Sequence, residues 1–316
     1  MLFSLIVPTC KRPDSLEMCL NAIFKSDYPE TEYEVIVIVD GKCDQSVGLI
    51  KNFQIRHGNL SYLNQIPNKG PASARNTGIK LAKGSIIGFT DDDCEIDGQW
   101  IKKMTESHIA NPDMAAVGGE TIVPGKSIER AIGQYLGNMS IQFKINGELE
   151  TIFFPTCNVS IKKEVLEKYS FDETFPFPGG EDLEYFWRLY KNGFRFIYDS
   201  TIVVKHHRSK LFKSFIKQNY YYGRGNLQVY KIHPDHPTLQ NLTLKTLPFF
   251  LKELGSLFNR LENAFWRQVR DDLIQKYSLS GIFIRQKVGL YLKISRIFYM
   301  FGKIREFVSI KFSPVQ

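Results

Sequence analysis

Short apolar runs alternate with stretches of helical periodicity through the first hundred residues. Leu2–Val7 is an apolar run stopped by Pro8, Val35–Val39 is another ending at Asp40, and Leu60–Leu63 is a shorter third. Ile86–Phe89 is a fourth, and it runs into Asp91-Asp92-Asp93. Between them, Ser15–Phe24 places Leu16, Leu20, Ile23 and Phe24 on one side of a helix, and Ala72–Ala82 and Trp100–Ile109 also read as helices. Apolar strands alternating with helices imply an α/β fold whose parallel sheet is covered on both faces. Ligands of such sheets bind beyond the carboxyl ends of the strands, where Thr9, Asp40 and the Asp91–Asp93 cluster fall.

The middle of the chain is more mixed. Ala115–Val117 and Thr201–Val204 predict strands, and Lys162–Tyr169 and Asp182–Asn192 predict helices. The pairs Gly118–Gly119 and Gly179–Gly180 mark sharp turns or close backbone approach. Near the end, Leu290, Ile294, Ile297, Phe301 and Val308 recur at helical spacing on one face, with Arg285, Arg296 and Lys303 roughly opposite.

Charge divides the chain. Residues 1–204 carry 21 Lys and Arg against 27 Asp and Glu, and residues 205–316 carry 20 against 6. An acidic body with a basic tail suggests two regions with different partners. The boundary is expected within 205–240, where His233-Pro234-Asp235-His236-Pro237 breaks the pattern. We draw it as a domain of residues 1–225 and a basic, mainly helical region of residues 226–316. A basic amphipathic helix there suits the surface of an anionic membrane.

The five cysteines, Cys10, Cys19, Cys43, Cys94 and Cys157, are odd in number and form no Cys-x-x-Cys pair. That argues against a disulfide framework or a structural zinc site and fits a reducing compartment. No stretch reaches the roughly 18 apolar residues of a spanning helix. The expected location is cytoplasmic, peripheral on the inner membrane face. The acidic body and the lack of nucleic-acid motifs exclude nucleic acid as a partner.

Four constellations can carry chemistry. Three adjacent carboxylates after a buried strand repel one another unless a cation sits among them, and Mg²⁺ or Mn²⁺ is held by carboxylates together with phosphate oxygens. Asn68–Gly78 opens a helix with small residues and offers Lys69 and Arg75, and helix N-termini attract phosphate. Gly179-Gly180-Glu181-Asp182 presents two carboxylates at a helix start, one of them able to act as a general base. His206-His207 follows a strand, and either imidazole is a candidate metal ligand.

In this order, Thr9–Arg12, Asp40, Asn68–Gly78, Thr90–Cys94, Thr156–Val159, Gly180-Glu181-Asp182 and His206 resemble the motif series of family 2 glycosyltransferases, over residues 2 to about 225. The resemblance implies a GT-A fold, a nucleotide-diphospho-sugar transferase sandwich, here with a C-terminal helical extension. It implies that Pro8, Thr9 and Arg12 border the nucleotide and that Asp40 contacts the base. Lys69, Arg75, Asp91 and Asp92 lie along the donor. Asp91, Asp93 and His206 hold Mn²⁺ or Mg²⁺, and His207 stays open as the alternative ligand. Asp182 is the catalytic base, and Gly180, Glu181 and Trp187 face the acceptor. Val39-Asp40-Gly41 departs from the family's usual Asp-Asp-Gly, and Cys157 stands where relatives often carry Gly.

The activity so implied is inverting transfer of a sugar from a nucleotide-diphosphate donor, a UDP-sugar, to a hydroxyl of a glycan or lipid-linked acceptor in cell-surface polysaccharide or glycolipid synthesis. The Gln-x-x-Arg-Trp motif of processive synthases is absent. The competing readings are a sugar nucleotidyltransferase, whose Gly-rich first loop is replaced here by Val7-Pro8-Thr9-Cys10, and an inactive sugar-binding or scaffolding relative.

Overall fold

The computed structural model describes residues 2–125, 141–145, 147–207, 212–239, 271 and 282–311, with the side chains of the last segment described for 288–306. The chain forms two compact units. One is Met1–Pro124 with Ser140–Arg208, and the other is Gly125–Met139 with Ser209–Gln316. The break after Arg208 lies within the stretch where the charge changes sign. The line drawn at 225/226 falls inside a continuous helix.

The first unit is a mixed eight-stranded sheet. Its strands are β1 (Phe3–Thr9), β2 (Tyr33–Asp40), β3 (Leu60–Gln65), β4 (Ile86–Phe89), β5 (Cys94–Ile96), β6 (Ala116–Ile122), β9 (Val159–Lys162) and β10 (Phe196–His206), in the order β3-β2-β1-β4-β9-β6-β10-β5. A separate hairpin pairs β7 (Gln142–Ile145) with β8 (Glu148–Thr151). The helices are α1 (Pro13–Ile23), α2 (Asp44–Gln54), α3 (Pro71–Leu81), α4 (Trp100–Ala110), α5 (Lys163–Lys168) and α6 (Glu181–Lys191).

The apolar runs become strands because only burial on both faces accommodates them. Val35, Ile36, Val37, Ile38 and Val39 are each fully buried. Leu16, Leu20 and Ile23 of α1 and Trp100, Ile101 and Met104 of α4 join the same core. The sheet departs from an all-parallel one. β3, β2, β1 and β4 run parallel, but β9 enters antiparallel between β4 and β6, and β5 runs antiparallel to β10. Strand periodicity reports burial and not pairing partners, so neither reversal is visible in the hydrophobic pattern.

These two antiparallel insertions position the site. The β5–β10 register sets His206 opposite Cys94, immediately after the acidic triplet. The β4–β9 register sets Phe89 opposite Val159, which brings the Thr156–Val159 segment alongside Thr90, and the Thr90 hydroxyl donates to the Cys157 carbonyl at 3.1 Å.

In the second unit, α7 (Phe212–Ile232) packs against α8 (Ile282–Lys311). A Cβ added at Gly223 would overlap the backbone of Tyr299, and one at Gly302 would overlap that of Tyr220, so the helices approach through bare backbone. Polar side chains complete the seam. Ser295 donates to Asn219 at 2.5 Å, Asn226 to the Tyr299 hydroxyl at 2.9 Å, and Arg224 to Glu306 at 2.9 Å.

Val288, Leu292, Ser295, Lys303 and Glu306 are buried, whereas Leu290 and Phe301 of the apolar stripe are about half exposed. Leu290 and Phe301 lie on the more exposed face of α8, and the face that carries Lys303 is the packed one. Lys303 is buried there, with its ammonium 4.7 Å from the Tyr299 ring centroid. The side chains of Arg285 and Val308 lie outside the described residues. No helix among the described residues is long and apolar enough to cross a membrane.

Candidate active site

The site lies at the carboxyl ends of β1, β2 and β4. Thr9 closes β1 and is buried, and its hydroxyl donates to Asp92 at 2.7 Å. Pro8, half-buried one residue earlier, pairs in register with Ile38 of β2. Arg12 then reaches back to the triplet. It forms an ion pair with Asp92 and a 2.7 Å bond to Asp93.

The triplet fans out in three directions. Asp92 points inward and is fully buried against Thr9 and Arg12. Burial pushes its carboxyl up to about 7 against the opposing pull of Arg12. Asp91 is a quarter exposed and accepts from Arg75 at 3.1 Å. Asp93 meets His206 Nε2 at 3.1 Å. Burial raises the Asp93 carboxyl, but the charge and hydrogen bonds of His206 and Arg12 outweigh it and hold the group well below the usual carboxylate range.

Asp40 closes β2 and turns its carboxylate toward the loop that follows β3. Its side-chain carboxylate accepts four bonds: Gln65 Nε2 at 2.9 Å, Asn68 Nδ2 at 2.7 Å, and the Lys69 and Gly70 amides at 2.8 Å each. A carboxylate offers about four lone-pair sites, so these bonds fill it. Asp40 therefore holds the 65–70 loop in shape at the opening of α3. Gly70 turns that loop at φ +92, a conformation that disfavours a side chain. Lys69, just before it, is exposed.

Arg75 is the link between the two acidic motifs. Its side chain is 4% exposed, and its guanidinium donates to Asp91 and, at 3.0 Å, to Glu181. Glu181 also accepts from the Gly179 amide at 2.8 Å, which closes the Gly-Gly turn. Gly180 caps α6 in the left-handed region at φ 97, which favours Gly. Asn76 fixes α3 to the chain leading into this turn through paired bonds with the Phe171 backbone, at 2.9 and 3.0 Å.

Asp182 is in the first turn of α6, where its carboxylate accepts from the Leu183 amide at 2.9 Å. Burial, then the neighbouring charge of Glu181, hold its carboxyl well above the ordinary range, against the pull of Arg75. Trp187 lies further along α6, 6% exposed and stacked on Tyr190 with ring centroids 5.3 Å apart.

Asp91, Asp93 and His206 each bring one donor atom within 4.8 Å of the others. The buried Asp93 Oδ1 lies 3.1 Å from His206 Nε2. Two carboxylates and an imidazole suit Mn²⁺, and their oxygens also suit Mg²⁺, so this set fits the divalent ion that the motif series implies. His207 is directed elsewhere. Its amide donates to the Asp93 carbonyl and its ring meets Glu95 at 3.1 Å. Successive residues on a strand point to opposite faces, and that alternation separates the two histidines.

The sequence reading missed three features: the Arg75–Glu181 pair, the role of Asp40 as a loop anchor, and the pairing of Arg12 with Asp92 and Asp93. Basic residues at Arg12 and Arg75 near acidic motifs were the only available signal, because each pair spans a long stretch of chain.

The family model described as glycosyl transferase family 2 matches residues 4–170. The glycosyltransferase AglE of Haloferax volcanii is 27% identical over 233 residues, covering 72% of this chain and 74% of that one. The dolichyl N-acetyl-alpha-D-glucosaminyl phosphate 3-beta-D-2,3-diacetamido-2,3-dideoxy-beta-D-glucuronosyltransferase of Methanococcus voltae is 26% identical over 234 residues, covering 70% and 71%. Among solved structures, a mannosyltransferase of Pyrobaculum calidifontis in complex with GDP-Man and Mn²⁺ superposes with a TM-score of 0.64 at 19% identity, covering 95% of this chain and 87% of that one. Staphylococcus aureus TarS 1–349 in complex with UDP-GlcNAc gives 0.56 at 19%, covering 98% and 92%. The shared architecture is the GT-A fold.

Proposed function

The chain belongs to glycosyl transferase family 2, and on that premise we propose that it is a metal-dependent, inverting enzyme. It moves a sugar from a nucleotide-diphosphate donor, a UDP-sugar, to a hydroxyl of a glycan or lipid-linked acceptor. The observation that carries this reading is the guanidinium of Arg75. By bonding both Asp91 and Glu181, it holds a carboxylate of the acidic triplet beside the Gly-Gly-Glu-Asp turn.

In this reading Asp91, Asp93 and His206 hold Mn²⁺ or Mg²⁺. When bound, the ion neutralises charge growing on the departing diphosphate. Asp92, Thr9 and Arg12 fix the triplet, while Pro8 and the loop held by Asp40, with Lys69, border the nucleotide. Asp182, once ionised, takes the proton of the acceptor hydroxyl as that oxygen attacks the anomeric carbon from the face opposite the diphosphate. One displacement inverts the centre, so no protein nucleophile is required. Glu181 is committed to Arg75 and the Gly179 amide, whereas Asp182 accepts from the Leu183 amide and has no ion pair with Arg75, so we assign Asp182 as the base of the pair. Gly180, Glu181 and Trp187 shape the acceptor side.

A lipid-linked acceptor accords with the Methanococcus relative, which is named for a dolichyl-linked sugar phosphate. It also accords with α8, whose outward stripe of Leu290, Ile294, Ile297 and Phe301 is flanked by Lys293 and Arg305. An apolar stripe with cationic edges suits an anionic membrane surface, and we place the enzyme there, peripheral to the cytoplasmic face. The test of the activity is a panel of nucleotide sugars incubated with Mn²⁺. Metal-dependent release of nucleoside diphosphate supports transfer; release of pyrophosphate would instead indicate a nucleotidyltransferase, and no release at all a binding relative.

A further inference from the structure

Two buried thiols stand behind the metal-binding carboxylates. Cys94 follows the acidic triplet on β5 and is fully buried, and Cys157 precedes β9 and is 3% exposed. Neither has a part in the transfer chemistry. The register that sets His206 opposite Cys94, and the Thr90 bond that holds Cys157, bring both sulfurs to the same imidazole. The donor atoms of Cys94, Cys157 and His206 all lie within 4.8 Å of one another.

Sulfur and imidazole donors select differently from carboxylates. Thiolates favour thiophilic ions, whereas Mn²⁺ and Mg²⁺ favour oxygen. Two thiolates, one imidazole and an open fourth position form a known type of zinc environment. We propose that Cys94, Cys157 and His206 form a second metal site, for a thiophilic divalent ion such as Zn²⁺. Binding releases one proton from each thiol. Because His206 belongs to both sets, an ion on the sulfurs takes it from Asp91 and Asp93 and inhibits transfer. The inhibition rests on the reading of Asp91, Asp93 and His206 as the activating site; the sulfur site itself does not.

The test uses the full chain, kept reduced with a phosphine and titrated with Co²⁺ alone as a spectroscopic substitute for Zn²⁺. The expected result is sulfur-to-cobalt charge-transfer absorption that saturates at one ion per chain and is displaced by Zn²⁺. It should persist in Asp91→Asn/Asp93→Asn and vanish in Cys94→Ser/Cys157→Ser. Cys157→Ala alone, a smaller change should the double variant fold poorly, should weaken Co²⁺ binding by about tenfold or more. Zn²⁺ should also inhibit Mn²⁺-dependent turnover of the wild type at concentrations that fill the sulfur site. Absence of the sulfur band in the wild type, or its persistence without the cysteines, would overturn the site and leave the transferase reading standing. A sulfur band without Zn²⁺ inhibition would overturn the competition for His206.

Discussion

Arg75 reaches Glu181 across 106 residues of chain, Nη1 to Oε1 at 3.0 Å, with both side chains almost fully buried. Truncating one member of a buried pair leaves the other charged and unpaired, at a cost of about 3–5 kcal/mol. Arg75→Ala should therefore lower the unfolding free energy by that amount, read as a lower denaturant midpoint at unchanged slope. Lys42→Ala, which removes the exposed pair with Asp44, should change stability by no more than about 1 kcal/mol. Equal, small effects would remove Arg75 as the link between the two motifs.

The metal reading separates two adjacent histidines. His206 faces Asp93 and His207 faces Glu95. His206→Ala and Asp93→Asn should each weaken Mn²⁺ binding by roughly tenfold or more, and His207→Ala should leave it close to wild type. Titration of the Mn²⁺ resonance without donor reads this directly. Equal losses at both histidines would contradict the assignment.

Much of this arrangement is legible in the sequence, for reasons that particular residues make plain. Val35–Val39 and Ile86–Phe89 are dense apolar runs, and the acidic triplet and Gly-Gly-Glu-Asp sit at the ends or starts of recognisable elements. Other features carry too little local signal. β5 has only three residues, and α2 bears Val47, Ile50 and Phe53 at helical spacing diluted by Gly48. The reversal of β9, the burial of Lys303 and the bonds of Asp40 depend on partners far away in the chain, which no periodicity encodes. The different directions of His206 and His207 follow from the register of β10 on β5.

The pH dependence follows from Asp182. Its carboxyl is raised by burial and by Glu181, and only the ionised form can accept a proton, so kcat/KM should rise with pH through an acid limb above the usual carboxylate range. Glu181→Gln removes the neighbouring negative charge and should move that limb to lower pH. Linkage gives the stability sign. A carboxyl whose folded pKa is raised makes the fold lose stability as pH climbs from the unfolded value to the folded one. Asp182→Asn should therefore be more stable than wild type at alkaline pH, and a melting-temperature series reads the difference. A limb in the ordinary carboxylate range, with no stability gain, would refute this.

The outward stripe of α8 predicts membrane partition. Leu290 and Phe301 are already half buried, so completing their burial in an interface contributes about 0.7–1.5 kcal/mol each, which corresponds to roughly three- to tenfold in affinity. Leu290→Asp/Phe301→Asp should abolish cosedimentation of the full chain with anionic vesicles, and added salt should weaken wild-type binding. Unchanged sedimentation would turn the stripe into a protein-packing face.

The most direct test compares turnover and donor affinity in Asp182→Asn. Removing a general base costs about 10²–10⁴-fold in rate, whereas the proposed donor contacts run through Asp91, Asp93, His206 and the loop that Asp40 anchors. With Mn²⁺ saturating, Asp182→Asn should transfer sugar at least about a hundredfold more slowly, with a donor Kd within about twofold of wild type. Turnover near that of the wild type would contradict Asp182 as the base.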